Sequence, residues 1–555
     1  MRMAEGFIPP LQGEEYENIG QHGQNFVTGL DRRGRYRVLG HWGCAIDEWN
    51  DMRWRRRNLA SMSADVNDGL APGVEAVTSG APRSEEPVQT RGYRVIALVV
   101  ASALFMQQLD GTVLTVALPT MARDLATPAT SLSLALTSYL LALALFIPAS
   151  GTLADKFGSR TIFCSAIGVF LLGSILCAQS GSLPTLVAAR FLQGIGGAMM
   201  VPVGRLVLLR SVAKADMVQA LSWLVMPALI GPILGPPLGG FIVTWLDWRW
   251  IFYLNIPIGI IGMIGAWMLV PEVRGDARLR FDVSGFFLSG ISLGCLLFGF
   301  ELASRPGTGL VALGLLVIGA VLGWLYIRHA RHTTDPILDP TLMRVPTFRL
   351  SVIGGSLTRI TQGAQPFLLP LMFQLGFGLS AAKTGTITMA GAVGALAMKA
   401  LAPRVLRRWG FRRSLIVSGL ASSAGYATCA FFRPDWSIPL ITFILALSGF
   451  FTSFQFTGFN AIAYADVDKD RMSAATSFYA TFQQLTLSLG ICTAATVLEL
   501  GSLVEGKGGP TLNSFSAAFI VVAIISASAV IWNRRFAPDA GSAMSGHHGH
   551  GDSDE

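Results

Sequence analysis

Charge is what this chain has least of. Asp, Glu, Lys and Arg make up 14% of its 555 residues, against about 25% in an ordinary soluble protein. Hydrophobic residues make up 52% and the mean hydropathy is +0.52. A water-soluble fold built from this composition would expose large apolar patches, which are rarely tolerated. Cysteine is scarce too, at six residues. Cys164, Cys177, Cys295, Cys429 and Cys492 lie in or near apolar runs and Cys44 lies in a polar leader. None has metal-ligand spacing, so they read as small packed hydrophobes and no metal site is expected. No Gly-rich loop ending in Lys-Ser/Thr is present, which argues against ATP-driven transport by this chain alone. No nucleophile–base set stands out, so no enzymatic activity, catalytic residue or cofactor is expected. Residues 1–91 lack the apolar core of a signal peptide, so no secretory leader is expected in them.

What is there is a series of long apolar runs. A membrane-spanning helix needs about 20 mostly apolar residues. Fourteen such runs recur, at 93–117, 132–153, 161–178, 183–209, 218–243, 251–270, 283–302, 310–327, 350–374, 385–402, 415–431, 438–461, 474–500 and 515–532. They are too long for barrel strands, which leaves a helical bundle. The net charge of +8 and pI of about 9.4 would suit nucleic acid, but the placement of the charge points to topology instead. Lys156, Arg160, Arg210, Lys214, Arg274, Arg278, Arg280, Arg328, Arg331, Arg344, Arg349, Arg404, Arg407, Arg408, Arg412, Arg413, Lys469 and Arg471 follow even-numbered runs. Arg123, Arg249, Arg305, Lys383, Arg433 and Lys507 are scattered singly after odd-numbered ones. Positive charge marks cytoplasmic loops. An even number of spans with both termini cytoplasmic is therefore expected.

Residues 1–91 are polar and of mixed charge. They read as a disordered cytoplasmic extension, or as upstream sequence with the true start near Met62; Arg53-Trp54-Arg55-Arg56-Arg57 offers the alternative of contact with anionic lipid. Residues 537–555, with His547, His548 and His550, read as a flexible tail. Between them runs an internal echo. Asp155-Lys156-Phe157-Gly158-Ser159-Arg160 follows the second run and Arg407-Arg408-Trp409-Gly410-Phe411-Arg412 the tenth. Two six-helix halves related by a repeat would produce it, as in major facilitator transporters. The halves are then 92–270 and 350–536, with two extra helices in the linker 271–349.

Several polar groups lie within the runs. Asp110, in Leu109-Asp110-Gly111-Thr112, is an acid deep in an apolar helix. A desolvated carboxylate takes up a proton more readily than one in water. Arg190 opens Arg190-Phe191-Leu192-Gln193-Gly194-Ile195-Gly196-Gly197. A charge there is a functional candidate by default, with snorkelling to the interface as the alternative. Gly231, Gly235 and Gly239 recur every fourth residue and share a helix face, while Pro232 and Pro236 bend the helix. In the loop 151–160, Asp155 sits where the helix dipole disfavours an anion and needs a partner, either Arg160 or a helix N-terminus elsewhere. Gly158 allows the tight turn. Gln193, Arg359, Gln362, Gln455, Asn460 and Gln483, with Gln365 and Gln484 nearby, are candidates to line a substrate cavity; interhelical hydrogen bonding is the alternative for the amides.

These motifs carry a family resemblance over about residues 93–535. The loop 151–160 resembles the signature loop of the major facilitator superfamily, which implies that Gly151, Asp155, Gly158 and Arg160 form a conformational latch stabilising the outward-facing state. The Arg190 run resembles the superfamily's span-four motif, whose Arg is linked to proton transfer. The Gly-Pro face of span five (Gly231, Pro232, Gly235, Pro236, Gly239) is similar to the antiporter signature, which implies export. Leu109–Pro119 and Trp248–Gly259 resemble the fourteen-span drug:proton antiporters of the EmrB/QacA type, and spans one, four and nine resemble their MdtD-like branch. The resemblance implies an all-α membrane protein with two six-helix bundles plus two inserted helices, fourteen spans in a bacterial inner membrane. It implies proton-coupled efflux of small amphipathic compounds, with Asp110 and Arg190 coupling the protons. A dedicated exporter of a metabolite, sugar or siderophore, and a transporter-like membrane sensor, remain alternatives. The partners expected are a small-molecule substrate, protons and the lipid bilayer, without nucleic acid; a periplasmic adaptor and an outer-membrane channel stay open.

Overall fold

A computed structural model describes residues 27–30, 36–38, 93–211, 217–274, 281–303, 307–468, 471–506 and 509–542. The chain divides into two units, 1–85 and 86–555. The described part of the first is a hairpin, β1 (Val27–Leu30) antiparallel to β2 (Tyr36–Val38), with Val27 opposite Val38. The rest of the leader, on which the expectation of disorder falls, lies outside the described residues, as do the three tail histidines.

The second unit is helical. Its helices are α1 (Tyr93–Asp124), α2 (Ser133–Phe157), α3 (Ser159–Ala178), α4 (Leu183–Ser211), α5 (Met217–Trp245) and α6 (Trp250–Leu269). Then come α7 (Val283–Ala303), α8 (Gly309–Ala330) and α9 (Pro346–Leu371). A continuous stretch, Ala381–Cys429, breaks at Gly410, whose φ of 67° and ψ of 173° are not helical. The break gives α10 (381–409) and α11 (411–429). The series closes with α12 (Ile438–Ile462), α13 (Met472–Val504) and α14 (Leu512–Asn533). Every apolar run read from the sequence is thus helical. Among the described residues eleven stretches, Ala381–Cys429 counted once, are long and apolar enough to cross a bilayer. Two others differ: α5 offers a shorter apolar stretch, Leu229–Trp245, and α9 is interrupted by Arg349, Arg359, Gln362 and Gln365.

Helix ends depart from the apolar runs where local chemistry overrides hydropathy. α1 continues to Asp124 through an internal Pro119. α9 begins at Pro346, where proline's missing N–H costs nothing in the first turn. Ser380 caps α10 by accepting from the Lys383 N–H at 3.3 Å, and Thr511 with Ser514 forms a capping box on α14.

The helices pack as a repeat. In the first half α1 packs on α5 and α6, α2 on α4, and α3 on α4 and α6. In the second, α9 packs on α13 and α14, and α12 lies against the α10–α11 stretch. The two halves meet reciprocally: α5 packs on α10, and α2 on α13. The echoed loops share backbone geometry as well, since Gly158 has a φ of 98° and Gly410 one of 67°. Both lie at positive φ with extended ψ, a region nearly reserved for glycine. α7 and α8 pack on one another, and α7 also touches α2 and α13, so the pair sits against the seam of the halves. Leu310, Val311, Val317 and Trp324 of α8 are exposed, an apolar surface suited to lipid.

Candidate functional site

The Asp110 side chain lies inside the first bundle, 1% exposed. Arg190 Nη1 donates to Asp110 Oδ2 at 2.6 Å. Gln193 Nε2 donates to Oδ1 at 2.8 Å and Asn255 Nδ2 at 3.0 Å. Arg190 and Gln193 are three residues apart, on one face of α4, so one helix supplies the cation and the first amide while α6 supplies the second. Arg190 Nη1 also reaches Gln193 Oε1 at 2.5 Å, and Ser174 Oγ of α3 accepts from Gln193 at 2.9 Å. The guanidinium lies 4.3 Å from the centre of the Tyr139 ring of α2, a cation–π contact. The Gly-rich run of α4 makes this approach possible. A Cβ on Gly194 would come 2.6 Å from Ala142 Cβ, and one on Gly196 would come 2.6 Å from Ala166 O. The carboxylate is thus buried, fully hydrogen-bonded and paired, which is the condition for holding a charge in an apolar interior.

A cavity lies between the halves, in two adjoining chambers of about 520 Å³ and 250 Å³. Both are lined by Gln108, Thr112, Thr115 and Gln362. The smaller ends on Tyr139 and Arg190, so one member of the buried pair, the arginine, forms part of the cavity wall while Asp110 lies behind it. The Gly-Pro face of α5 joins the two features. A Cβ on Gly231 would come 2.9 Å from Gln108 Cβ, one on Gly235 would overlap Thr112 Oγ1, and one on Gly239 would come 2.6 Å from Val113 O. These three contacts bracket Asp110 on α1. Pro232 and Pro236 line the larger chamber.

Several residues expected in the cavity are placed elsewhere. Gln193 is fully buried on Asp110. Arg359, 2% exposed, donates to Tyr479 Oη at 2.9 Å and lies 4.7 Å from that ring's centre. Gln455 Nε2 donates to Leu415 O and Ser418 Oγ, both at 2.6 Å, tying α12 to α11. Asn460 donates to Phe456 O one turn back on its own helix. Gln483 is half-buried and lines neither chamber. Gln362, Gln365 and Gln484 do line the cavity, and so does Lys399, which the sequence reading passed over.

In the loop 151–160, Arg160 pairs with an acid outside the loop. Arg160 Nε lies 3.5 Å from Glu272 Oε2, and Glu272 also accepts from the backbone N–H groups of Arg160 and Thr161, each at 3.2 Å. Glu272 follows α6, so the Arg160 contact stays within the first half. At the same end, Arg471 Nη2 donates to Asp339 Oδ2 at 2.7 Å. Burial pushes the Asp339 carboxyl up, but hydrogen bonds from Thr341 and Arg471, with the Arg471 charge, outweigh it and hold it below the ordinary carboxylate range. At the opposite end hydrogen bonds cross between the halves: Gln374 Nε2 to Val116 O at 2.8 Å, the Ala382 N–H to Thr244 Oγ1 at 3.2 Å, and Thr130 Oγ1 to Glu499 Oε2 at 2.9 Å. There a Cβ on Gly240 or Gly385 would strike the backbone of Ala381 or Pro236. The cavity is sealed at that end.

Among the described residues no cluster of His, Cys, Asp and Glu could hold a metal ion. A sequence profile of the Major Facilitator Superfamily matches residues 100–491 and 352–546. HsrA of Haemophilus influenzae, provisionally named a transport protein, is 36% identical over 446 residues, covering 80% of this chain and 96% of its own. MdtD of Escherichia coli, provisionally named a multidrug resistance protein, is 38% identical over 437 residues, covering 77% and 92%. The crystal structure of a D-xylose–proton symporter superposes with a TM-score of 0.57 at 16% identity, over 80% of this chain and 98% of that one, and shares the fold. These relatives are transporters rather than enzymes. With its helical repeat, its polar cavity between the halves and these matches, the chain belongs to the major facilitator superfamily as a multi-pass membrane transporter, on the MdtD-like side of the family.

Proposed function

We propose that the chain is a proton-coupled antiporter that exports small amphipathic compounds by alternating access. The observation that carries this reading is the position of Asp110: buried, paired with Arg190, and flanked on α1 by residues that touch the α5 Gly face and line the cavity. Deprotonated, Asp110 clamps α1 to α4 and α6 through Arg190, Gln193 and Asn255. Protonation removes the charge that compensates Arg190. A buried, uncompensated cation costs about 3–5 kcal/mol, so the protonated form favours a different arrangement of α1 against α4. Only such a differential preference can shift a conformational equilibrium.

The basic loops supply the orientation. They follow the even-numbered helices, so the sealed end faces outward and the cavity faces the cytoplasm, in a six-two-six arrangement within the bacterial inner membrane. In the alternate state the loop 151–160, with Asp155 and Arg160, holds the cytoplasmic end closed. Compounds enter from inside, the halves rock about the smooth face of α5, and a proton arriving from outside discharges Asp110 as the compound leaves.

Asp110→Asn tests the reading. The variant keeps the size of the side chain and should insert normally. In everted vesicles it should lose uncoupler-sensitive accumulation of compounds that the parent chain accumulates. Full, uncoupler-sensitive accumulation by Asp110→Asn sinks the coupling role.

A further inference from the structure

We infer that the compounds this cavity selects are organic anions, an apolar body bearing one negative group, and that Lys399 selects them. The inference rests on the cavity being the transport site proposed above. Among the described residues the polar lining of the larger chamber is amides and hydroxyls, among them Gln108, Gln362, Thr388 and Thr452, with one ionisable side chain, Lys399. The smaller chamber adds Arg190. Neither chamber has an Asp or Glu among its described lining residues.

The acids of the apolar helices are engaged elsewhere. Asp110 is held by Arg190 and two amides. Glu301 accepts from Ser133, and Glu499 accepts from Thr130 at the sealed end. A lipophilic cation in the larger chamber would meet a positive side chain and no counter-charge among the described lining residues. An anion there would meet Lys399.

The packing of α10 fixes that lysine on the cavity side. Gly391, Ala392, Ala395, Leu396 and Lys399 line the chamber at helical spacing. Met398 and Ala402, at the edge of the same stripe, are buried against Phe454 of α12, which holds this side of α10 toward the interior of the second half. Among the described residues Lys399 makes no ion pair. Beyond it Leu369, Leu445, Phe456 and Leu487 offer an apolar wall. Charge selection of this kind also suits the energetics. A single negative charge leaving through 100 mV, inside negative, gains about 2.3 kcal/mol, roughly fifty-fold in accumulation, before any proton is counted.

The test uses everted membrane vesicles containing the full chain, energised by a proton gradient, with vesicles of Asp110→Asn as the control. Radiolabelled taurocholate serves as the anionic amphipath and tetraphenylphosphonium as the lipophilic cation. Taurocholate should accumulate and collapse with an uncoupler, while tetraphenylphosphonium stays at the control level. Lys399→Gln should raise the KM for taurocholate about tenfold with the maximal rate within twofold, Lys399→Arg should keep the parent KM, and Lys399→Glu should exclude taurocholate. An unchanged KM in Lys399→Gln, with the protein present in the membrane, overturns the role of the lysine. Uncoupler-sensitive preference for tetraphenylphosphonium overturns anion selection and leaves the antiport reading standing. Taurocholate uptake that ignores the uncoupler overturns antiport and leaves the selection standing. Accumulation of neither probe overturns both.

Discussion

Removing Arg190 alone should be more damaging than removing Arg190 together with its partner. Arg190→Gln leaves Asp110, 1% exposed, with the amides of Gln193 and Asn255 but no cation. It also takes the 2.5 Å anchor from Gln193 Oε1, so one of the two amides loses its orientation. Leaving one member of a buried pair uncompensated costs about 3–5 kcal/mol, whereas replacing both members with neutral groups of similar size is often close to neutral. Asp110→Asn combined with Arg190→Gln leaves amides at both positions. The double variant should therefore lie within about 2 kcal/mol of the parent chain, giving a coupling energy at or above the usual 0.5–3 kcal/mol for residues in contact. The measurement is unfolding of the purified full chain in detergent, for the parent, both single variants and the double. The double should be more stable than Arg190→Gln even though neither transports. If the effects of the two single changes simply add, to within about 0.5 kcal/mol, the pair does not hold the bundle as described and the clamp mechanism fails with it.

Other expectations follow from the same geometry. Gly235→Val places a branched side chain against Thr112 Oγ1, so the chain should still reach the membrane while uptake into everted vesicles falls at least tenfold; normal transport would remove α5 from the mechanism. Gly410→Ala and Gly158→Ala force alanine into a backbone region that costs about 1–3 kcal/mol, and each should lower the thermal midpoint measurably, with Gly158→Ala worse because its Cβ also meets the Glu272 carboxylate. Asp339→Asn should lower the thermal midpoint near pH 7. Because the folded carboxyl titrates below its ordinary range, the stability it contributes is present above about pH 4 and disappears as pH falls through the lowered value. The deficit of the variant should vanish there, and a deficit that persists in acid would point to lost packing instead of lost charge.

The apolar runs were enough to place every helix, because lipid leaves the backbone no other way to satisfy its hydrogen bonds. They misjudged ends wherever a cap or a proline decided them, as at Pro346, Ser380 and Thr511. The motifs singled out Asp110 and Arg190 one by one, and an acid and a base buried in one bundle invite pairing. Asn255 and Ser174 were not legible as its partners, since a polar residue in an apolar helix shows nothing of which neighbour it faces. Gln193 illustrates the same limit. Its spacing from Arg190 put both on one α4 face, but only the contacts of α4 with α1 and α3 show that this face looks inward. Glu272 was hidden because it lies 112 residues from Arg160, in a loop that mixes Arg274, Arg278 and Arg280 with the further acids Asp276 and Asp282. Lys399 was passed over because, near Arg404 and Arg407, it reads as one more basic residue flanking a helix end.

α1 is a partition. On one side Asp110 is buried against α4 and α6, with Arg190 alone of its donors reaching the smaller chamber, and on the other Gln108, Thr112 and Thr115 line both chambers. Substitutions at the chamber-facing positions alter what the cavity holds without touching the acid or its three donors. Such a layout lets new cargo be acquired by small steps, each leaving the energy-converting half of the machine intact. A lineage built on it can diversify in what it carries far more readily than in how it is driven.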